Sequence, residues 1–415
     1  MAARPSTPAR RALLTASLVL TLVATIGLGV AAAQDGDVAP VLDEALLEEV
    51  LEILGEQYVD EDMLDSENLT LGAIRGIVDA LGDDGHTLYL TPAELEVEED
   101  LLDSRVVGIG VRFDQRGGSS RIISVVDGSP ADLAGPRAGD VTAGVDGTDI
   151  NRLSADDLVE ALRGDVGTMV RLEVERPGGA ELLEVVIRRD DVEIDPVAWA
   201  FAPGSDVAVI RIVQFSAQSG RETRAAIKAA LEAGASGIVL DLRGNPGGLV
   251  EEALVVAGSF LLEGVAYQEQ GREGPPRNIH ITTGWTLTSD LPLVVLVDYG
   301  TASAAEMLAA ALRDNDRAAI VGEQTFGTGT TLHTFRLSDG SALRVGVLDW
   351  LTPSGNAVFR VGVTPDEVVA LPPGSLALQP GDLAGMTASD FADSDDAPLR
   401  HAVSLIEALA DGGAG

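Results

Sequence analysis

The sequence predicts a mixed α/β chain in successive zones, and three observations predict it. Residues 41–104 carry apolar residues at helical spacing. Residues 105–191 form a glycine-punctuated, β-rich unit. Residues 196–370 alternate apolar strands with amphipathic helices, the pattern of a sheet flanked by helices. In the first zone Leu46, Leu47, Val50, Leu51 and Leu54 share one helix face, with acids opposite, and a second helix is expected around 71–81. Residues 83–92, DDGHTLYLTP, read as a turn into a strand. In the second zone Val107 to Val111 (VGIGV) leads to a strand at 121–126, then GSPADLAGPRAGD at 128–140. Ser154 and Asp157 give a capping-box start to a helix ending near Leu162, and strands at 170–176 and 182–188 close the unit. The third zone predicts strands at 207–213, 237–242, 293–297 and 318–321, with helices at 217–233, 249–262 and 302–312 between them. Later strands are expected at 335–345 and 358–361. Residues 371–398, rich in Pro, Gly and Asp, predict a loose acidic linker, and 399–411 a final helix.

Composition excludes several function classes. The 415 residues carry a net charge of −38, which offers no basic surface to exchange for phosphate counterions, so no nucleic acid is expected as a partner. Cysteine is absent, so there is no disulfide, thiol nucleophile or thiolate metal site. The four histidines, His86, His280, His333 and His401, lack metal-ligand spacing, and neither metal nor cofactor is implied. Residues 1–33 read as a targeting segment: Arg4, Arg10 and Arg11 precede an uncharged apolar run, and Ala31 to Ala33 offer small residues for cleavage. The run of 22 residues, 12–33, fits both a cleaved signal and a single uncleaved membrane anchor. Either places the body of the protein outside the cytoplasm: secreted, periplasmic or anchored to the outer face of the cell membrane.

Two further segments carry chemistry. DLRGNPGG occupies Asp241 to Gly248, and TASAAE begins at Thr301, with TFGTGTTL following from Thr325. The apolar run before Thr301 is a buried strand and the residues after it a helix. Ser303 therefore falls at a strand-to-helix turn, where nucleophiles are commonly presented. With DDGHTLYLTP and GSPADLAGPRAGD, these motifs, in this order, resemble the carboxyl-terminal processing peptidases (tail-specific proteases) over about residues 41–370.

The resemblance implies a PDZ domain at 105–191 inserted before an α/β peptidase core of the ClpP/crotonase type. It implies that Gly108, Ile109, Gly110 and Val111 receive a peptide terminus by strand addition, the partners being proteins or peptides with apolar C-termini. Ser303 is the implied nucleophile, with oxyanion donors among the amides of Gly247, Gly248 and Ala304. His86 falls at a structural position. The departure lies 25 residues after Ser303, where the family's lysine base is replaced by Thr328; the glutamine that orients that lysine is replaced by Leu332.

A serine hydroxyl is a poor nucleophile until a neighbour removes its proton. The chain's single lysine, Lys228, is expected on the solvated face of the 217–233 helix, and a solvated lysine is a poor base at neutral pH. His333 is nearer, but alternation along a strand turns it away if Leu332 faces Ser303, unless a bulge shifts the register. His280 and Glu306 read as structural. Two expectations stand: a serine endopeptidase with an altered base, and a non-catalytic relative that binds peptides or scaffolds another protease. A third reading, a binding module carried by the PDZ unit alone, makes the α/β domain its support.

Overall fold

Strands covered on both faces must be apolar at every position, and in the computed structural model three of the predicted runs, 207–212, 237–241 and 293–297, are buried throughout. The structure describes residues 42–60, 63–82, 87–114, 120–126, 128–137, 139–150, 158, 161–176, 182–193, 195–281, 288, 291–373 and 375–412. The targeting segment, the 34–40 linker, His86 and the Ser154/Asp157 pair lie outside these residues. No helix among the described residues is long and apolar enough to cross a membrane.

The chain divides after Ala73 into two units. The first contains α1 (Glu44–Gln57), capped by Asp43, whose apolar stripe is exposed. Helix α2 (Ser66–Asp79) crosses the division.

The second unit opens with β1 (Leu88–Leu90) and α3 (Pro92–Leu102), the latter started by a Thr91/Glu94 capping box. The β-rich zone follows: β2 (Arg105–Gly108), β3 (Val111–Asp114), β4 (Ser120–Val125), α4 (Pro130–Ala134), β5 (Val141–Val145), β6 (Thr148–Asp149), β7 (Met169–Glu175), β8 (Leu182–Arg188) and β9 (Asp190–Glu193). Its sheet runs β3-β4-β5-β7-β8 with β6 beside β5, while β2 pairs with β9. Ile122, Leu158, Leu172 and Ile187 fill its core. Strand β3 lies at the sheet edge, so one side of its backbone is unpaired among the described residues.

The α/β zone contains β10 (Val197–Phe201), β11 (Val207–Ile212), α5 (Ser219–Glu232), β12 (Gly237–Asp241), α6 (Val250–Phe260), β13 (Val265–Gln270), β14 (Arg277–His280), β15 (Leu293–Val297), α7 (Ala304–Asp314) and β16 (Ala319–Gly322). Then come β17 (Thr330–Arg336), β18 (Ala342–Leu351), β19 (Glu367–Val368), α8 (Pro380–Ala384), α9 (Ala388–Ala392) and α10 (Ala397–Gly412). The central sheet is ordered β10-β11-β12-β15-β16-β19, parallel except for β10. Leu240 and Val295 face α6, α7 and a second sheet, β1-β18-β13-β14 with β17 on β18. Val239 and Leu296 face the other way, onto Leu399, Val403 and Ile406 of α10.

Three expectations change. The strand predicted at 335–345 is two strands of a hairpin, β17 and β18, turning at 337–341. Residues 358–361 form a turn, because their amides serve a local wrap over Gly327: Arg360 N donates to Gly327 O and Val361 N to Val358 O. The predicted loose linker holds α8 and α9, and its Asp396 is buried against Arg243. An ion pair from across the fold orders a segment whose composition reads as loop.

Candidate active site

Strand β15 is followed by Asp298, whose carboxylate accepts hydrogen bonds from the amides of Gly244 (2.8 Å) and Gly300 (2.9 Å). The Thr301 hydroxyl donates to the Leu242 carbonyl at 2.9 Å, and Ala302 N to the Asn245 carbonyl at 2.9 Å. These bonds fasten the turn before α7 to the DLRGNPGG loop. Ser303 then adopts φ 52° and ψ −123°, a left-handed backbone that costs a non-glycine residue on the order of 1–3 kcal/mol. Helix α7 and the loop hold it there.

Gly247 makes this close approach feasible. A Cβ on it would lie 2.6 Å from the Ser303 Cβ, and its φ is +100°. Gly248, at φ +125°, presses against Phe215, where a Cβ would stand 2.1 Å from the carbonyl oxygen. Phe215 N donates to Gly247 O at 2.8 Å and Leu249 N to Phe215 O at 2.7 Å, so the loop is pinned on both sides of Gly248.

The three expected oxyanion donors are not equivalent. Gly247 N already donates to the Asn245 side-chain oxygen at 2.9 Å. The amides of Gly248 and Ala304 have no acceptor among the described residues, and both residues line the cleft that contains Ser303. The motif reading does not mark Asn245; an asparagine two residues before a glycine in a tight loop, able to bond its own backbone, is the sequence signal for it.

Glu306, fully buried at the first turn of α7, joins the nucleophile turn to the next loop. Its carboxylate accepts from Ser303 N (2.9 Å), Thr328 N (2.9 Å), Gly327 N (2.7 Å) and the Thr325 hydroxyl. Burial pushes its pKa up, and the four donors oppose that shift. All four partners donate, so an amide in its place turns an N–H toward another donor. Glu306→Gln is therefore expected to destabilise the fold by about 1–3 kcal/mol, read as a lowered denaturation midpoint. The linkage sign is that of a raised carboxyl: the folded state holds the proton more tightly, so the Glu306 contribution falls as pH rises above the ordinary carboxyl range. Glu306→Gln removes that dependence.

The cleft measures about 570 Å³ and brings Ser303, Gly248, Ala304, Thr328 and Leu332 to one surface. Met307, Tyr267 and Trp350 give it an apolar wall, the two rings meeting edge-to-face at 6.5 Å. Exposed Tyr299 and Phe326, 5.5 Å apart, add a second aromatic pair. Helix α3 contributes Glu98 and Leu102, Glu98 being paired with Arg344.

Among the described residues the Ser303 hydroxyl donates no hydrogen bond, and neither a lysine nor a histidine lines the cleft. Lys228 is 70% exposed and pairs with Glu232 at 3.7 Å. A register shift does fall between Thr331 and Leu332, but Leu332 and Thr334 line the cleft, while His333 is exposed beside Phe335. His280 and His401 lie away from the cleft, the latter 2.6 Å from Glu367. Tyr267 is held protonated, its pKa pushed up to about 12 by burial and by Glu269. Thr328, only 8% exposed, presents a hydroxyl in place of a base.

In the β-rich zone Gly108 ends β2 and Val111 opens β3. Between them buried Ile109 accepts from Ala131 N at 2.9 Å; Gly110, at φ +80°, has no room for a Cβ, which would meet Ser129 at 2.3 Å. The four residues form a fixed loop beside the open edge of β3. No group of three or more acidic or histidine side chains among the described residues is placed to hold a metal ion.

Comparison with known proteins agrees with this layout. Residues 206–369 match the model of peptidase family S41 and residues 121–176 that of a PDZ domain. The chain is 35% identical over 376 residues to the carboxyl-terminal-processing protease of Synechocystis sp., covering 89% of this chain and 87% of that one. It is 33% identical over 309 residues to the carboxy-terminal processing protease CtpA of Bacillus subtilis, covering 74% and 65%. Among solved structures, a photosystem II D1 C-terminal processing protease aligns with a TM-score of 0.54 at 29% identity, covering 85% of this chain and 99% of that one. With a PDZ domain preceding a family S41 peptidase domain, the chain belongs to the carboxyl-terminal processing protease family.

Proposed function

We propose that this family member acts outside the cytoplasm as a binder of protein C-terminal tails. It captures apolar termini on the β3 edge beside Gly108–Val111 and lays the chain across the Ser303 cleft, where peptide bonds turn over at no more than a residual rate. The observation that carries the reading is Thr328. It stands where the family's lysine is expected, and neither a lysine nor a histidine lines the cleft among the described residues. Losing the base while keeping oxyanion donors leaves several orders of magnitude less activity than a complete site. The extracytoplasmic assignment rests on the basic start and apolar run of residues 1–33.

The left-handed backbone at Ser303 and the two free amides favour a second reading, an endopeptidase acting by Ser303 acyl transfer. One experiment decides between them. Wild type and Ser303→Ala are compared for cleavage of an unfolded protein with an apolar C-terminus, and for binding of a peptide copy of that terminus as free acid and as amide. Tail binding predicts equal affinity in the two proteins, weaker binding of the amide, and no Ser303-dependent cleavage at enzymatic rates. Rapid cleavage abolished by Ser303→Ala would establish the second reading instead.

A further inference from the structure

We propose that Ser303 is an acyl acceptor for activated carboxylic esters of apolar acids, forming a long-lived acyl-enzyme on the intact chain. The proposal rests on the reading that no base serves Ser303, and concerns a different substrate class from peptides.

A missing base does not penalise all acyl donors equally. When a peptide bond breaks, the leaving nitrogen must gain a proton, normally returned by the group that deprotonated the serine. An aryl ester needs no such return, because it leaves as an aryloxide that is stable near neutral pH. What it does need is a serine held at the attack position and donors for the developing oxyanion. Both are present. Ser303 is fixed at φ 52° by the Glu306 bond to its amide, and among the described residues the Gly248 and Ala304 amides beside it have no acceptor. Leu249, Met307, Tyr267 and Trp350 offer the acyl group an apolar wall. In a cleft without a free cation among its described lining residues, an apolar acyl chain is favoured over a charged one, because Arg344 is engaged by Glu98.

The step balances without any additional reagent. The Ser303 Oγ–carbonyl bond forms, the carbonyl–aryloxide bond breaks, the aryloxide departs with the electron pair, and hydroxide takes the serine proton to give water. Acylation should therefore rise in proportion to hydroxide, with no plateau assignable to a side chain. Deacylation is the slow half. The departing serine alkoxide is a far poorer leaving group, and the attacking water has no base either. The product is a burst followed by a persistent adduct.

The test uses p-nitrophenyl butyrate with the purified full chain. Nitrophenol release, intact mass and peptide mapping are followed together. The expected result is a burst approaching one equivalent, a single butyryl group mapping to Ser303, and a logarithmic acylation rate rising with unit slope from about pH 7 to about pH 9. Ser303→Ala, checked for an unchanged thermal midpoint, should show neither burst nor adduct. Ser303→Cys should acylate faster at neutral pH and bend to a plateau near the ordinary thiol pKa of about 8.5.

A burst absent in wild type, or an adduct mapping elsewhere, overturns the proposal. So does a wild-type profile with a plateau and steady turnover, since that requires a base in the cleft. Rapid peptide cleavage would sink the tail-binding reading, whereas a missing burst without cleavage sinks only this one.

Discussion

Replacing Thr328 by lysine and Leu332 by glutamine together is expected to raise Ser303-dependent peptide cleavage by ~10²–10⁴-fold, the usual contribution of a positioned general base. The backbone at residue 328 is already fixed, since its amide donates to Glu306 Oε2 at 2.9 Å and the same carboxylate oxygen accepts from Ser303 N. One carboxylate thus sets the spacing between the nucleophile turn and the position from which a base would act. Residue 328 is nearly buried, so a lysine there is desolvated and its pKa falls from about 10 toward neutrality, where the neutral amine is a competent base. Leu332 lines the same cleft, so a glutamine there can reach the new ammonium. The sign of the pH dependence follows: activity rises with pH as the amine loses its proton, then levels off above its lowered pKa. The ammonium form is the buried charge, so stability is lowest at acid pH and recovers as pH rises. The measurement is cleavage of an unfolded substrate by the double variant, with and without Ser303→Ala. A folded double variant no faster than wild type would mean that residue 328 does not address Ser303.

How much of this site the sequence makes legible depends on the range of the interactions. Ser303, Gly247, Gly248, Ala304, Thr328 and Leu332 are found by motif order, and the structure gathers all but Gly247 along one cleft. Alternation turns His333 outward, because the register shift skips Val347 on β18 and inserts no extra residue into β17. What escapes are contacts whose partners lie far apart in the chain. Glu98 and Leu102 join the cleft from α3, about 200 residues before Ser303, and nothing local in their helix announces it. Asn245 withdraws the Gly247 amide from the expected oxyanion set, a detail of loop geometry that composition does not encode. Residues 371–398 show the same limit: their prolines, glycines and aspartates read as linker, yet the segment is ordered by a partner 153 residues away.

That partner leads to the second large effect: Arg243→Leu is expected to destabilise the α/β domain by about 3–5 kcal/mol. Arg243, 3% exposed, donates to both oxygens of Asp241 (2.9 and 2.8 Å) and to both of Asp396 (2.8 and 3.1 Å). Arg211 adds a bond to Asp241 at 2.8 Å, whereas Asp396 has otherwise, among the described residues, only the amides of Leu378 and Leu399. Removing the guanidinium strands a buried carboxylate at the start of α10, the helix that covers the face of the central sheet opposite α6 and α7. It also frees the strand-to-loop junction from which Gly247 and Gly248 are suspended. Loss of stability and loss of Ser303 acylation should therefore appear together in this variant, although Arg243 is not part of the cleft lining.

Arg243→Lys should recover only part of the loss, because a point charge cannot match two carboxylates with a planar fork. The acid limb of the stability curve identifies the cause. The neighbouring arginines outweigh burial and hold the Asp241 carboxyl below its ordinary 3.8, at about 2. Its contribution is complete above the ordinary carboxyl range and is lost as pH falls from about 4 toward 2. Denaturant titrations at about pH 6 and about pH 3 should show a steep loss in wild type and a shallower one in Arg243→Leu. Hydrogen exchange should place the opening at α10 and the 241–248 loop; equal acid slopes in the two proteins would remove the network as the source of the effect.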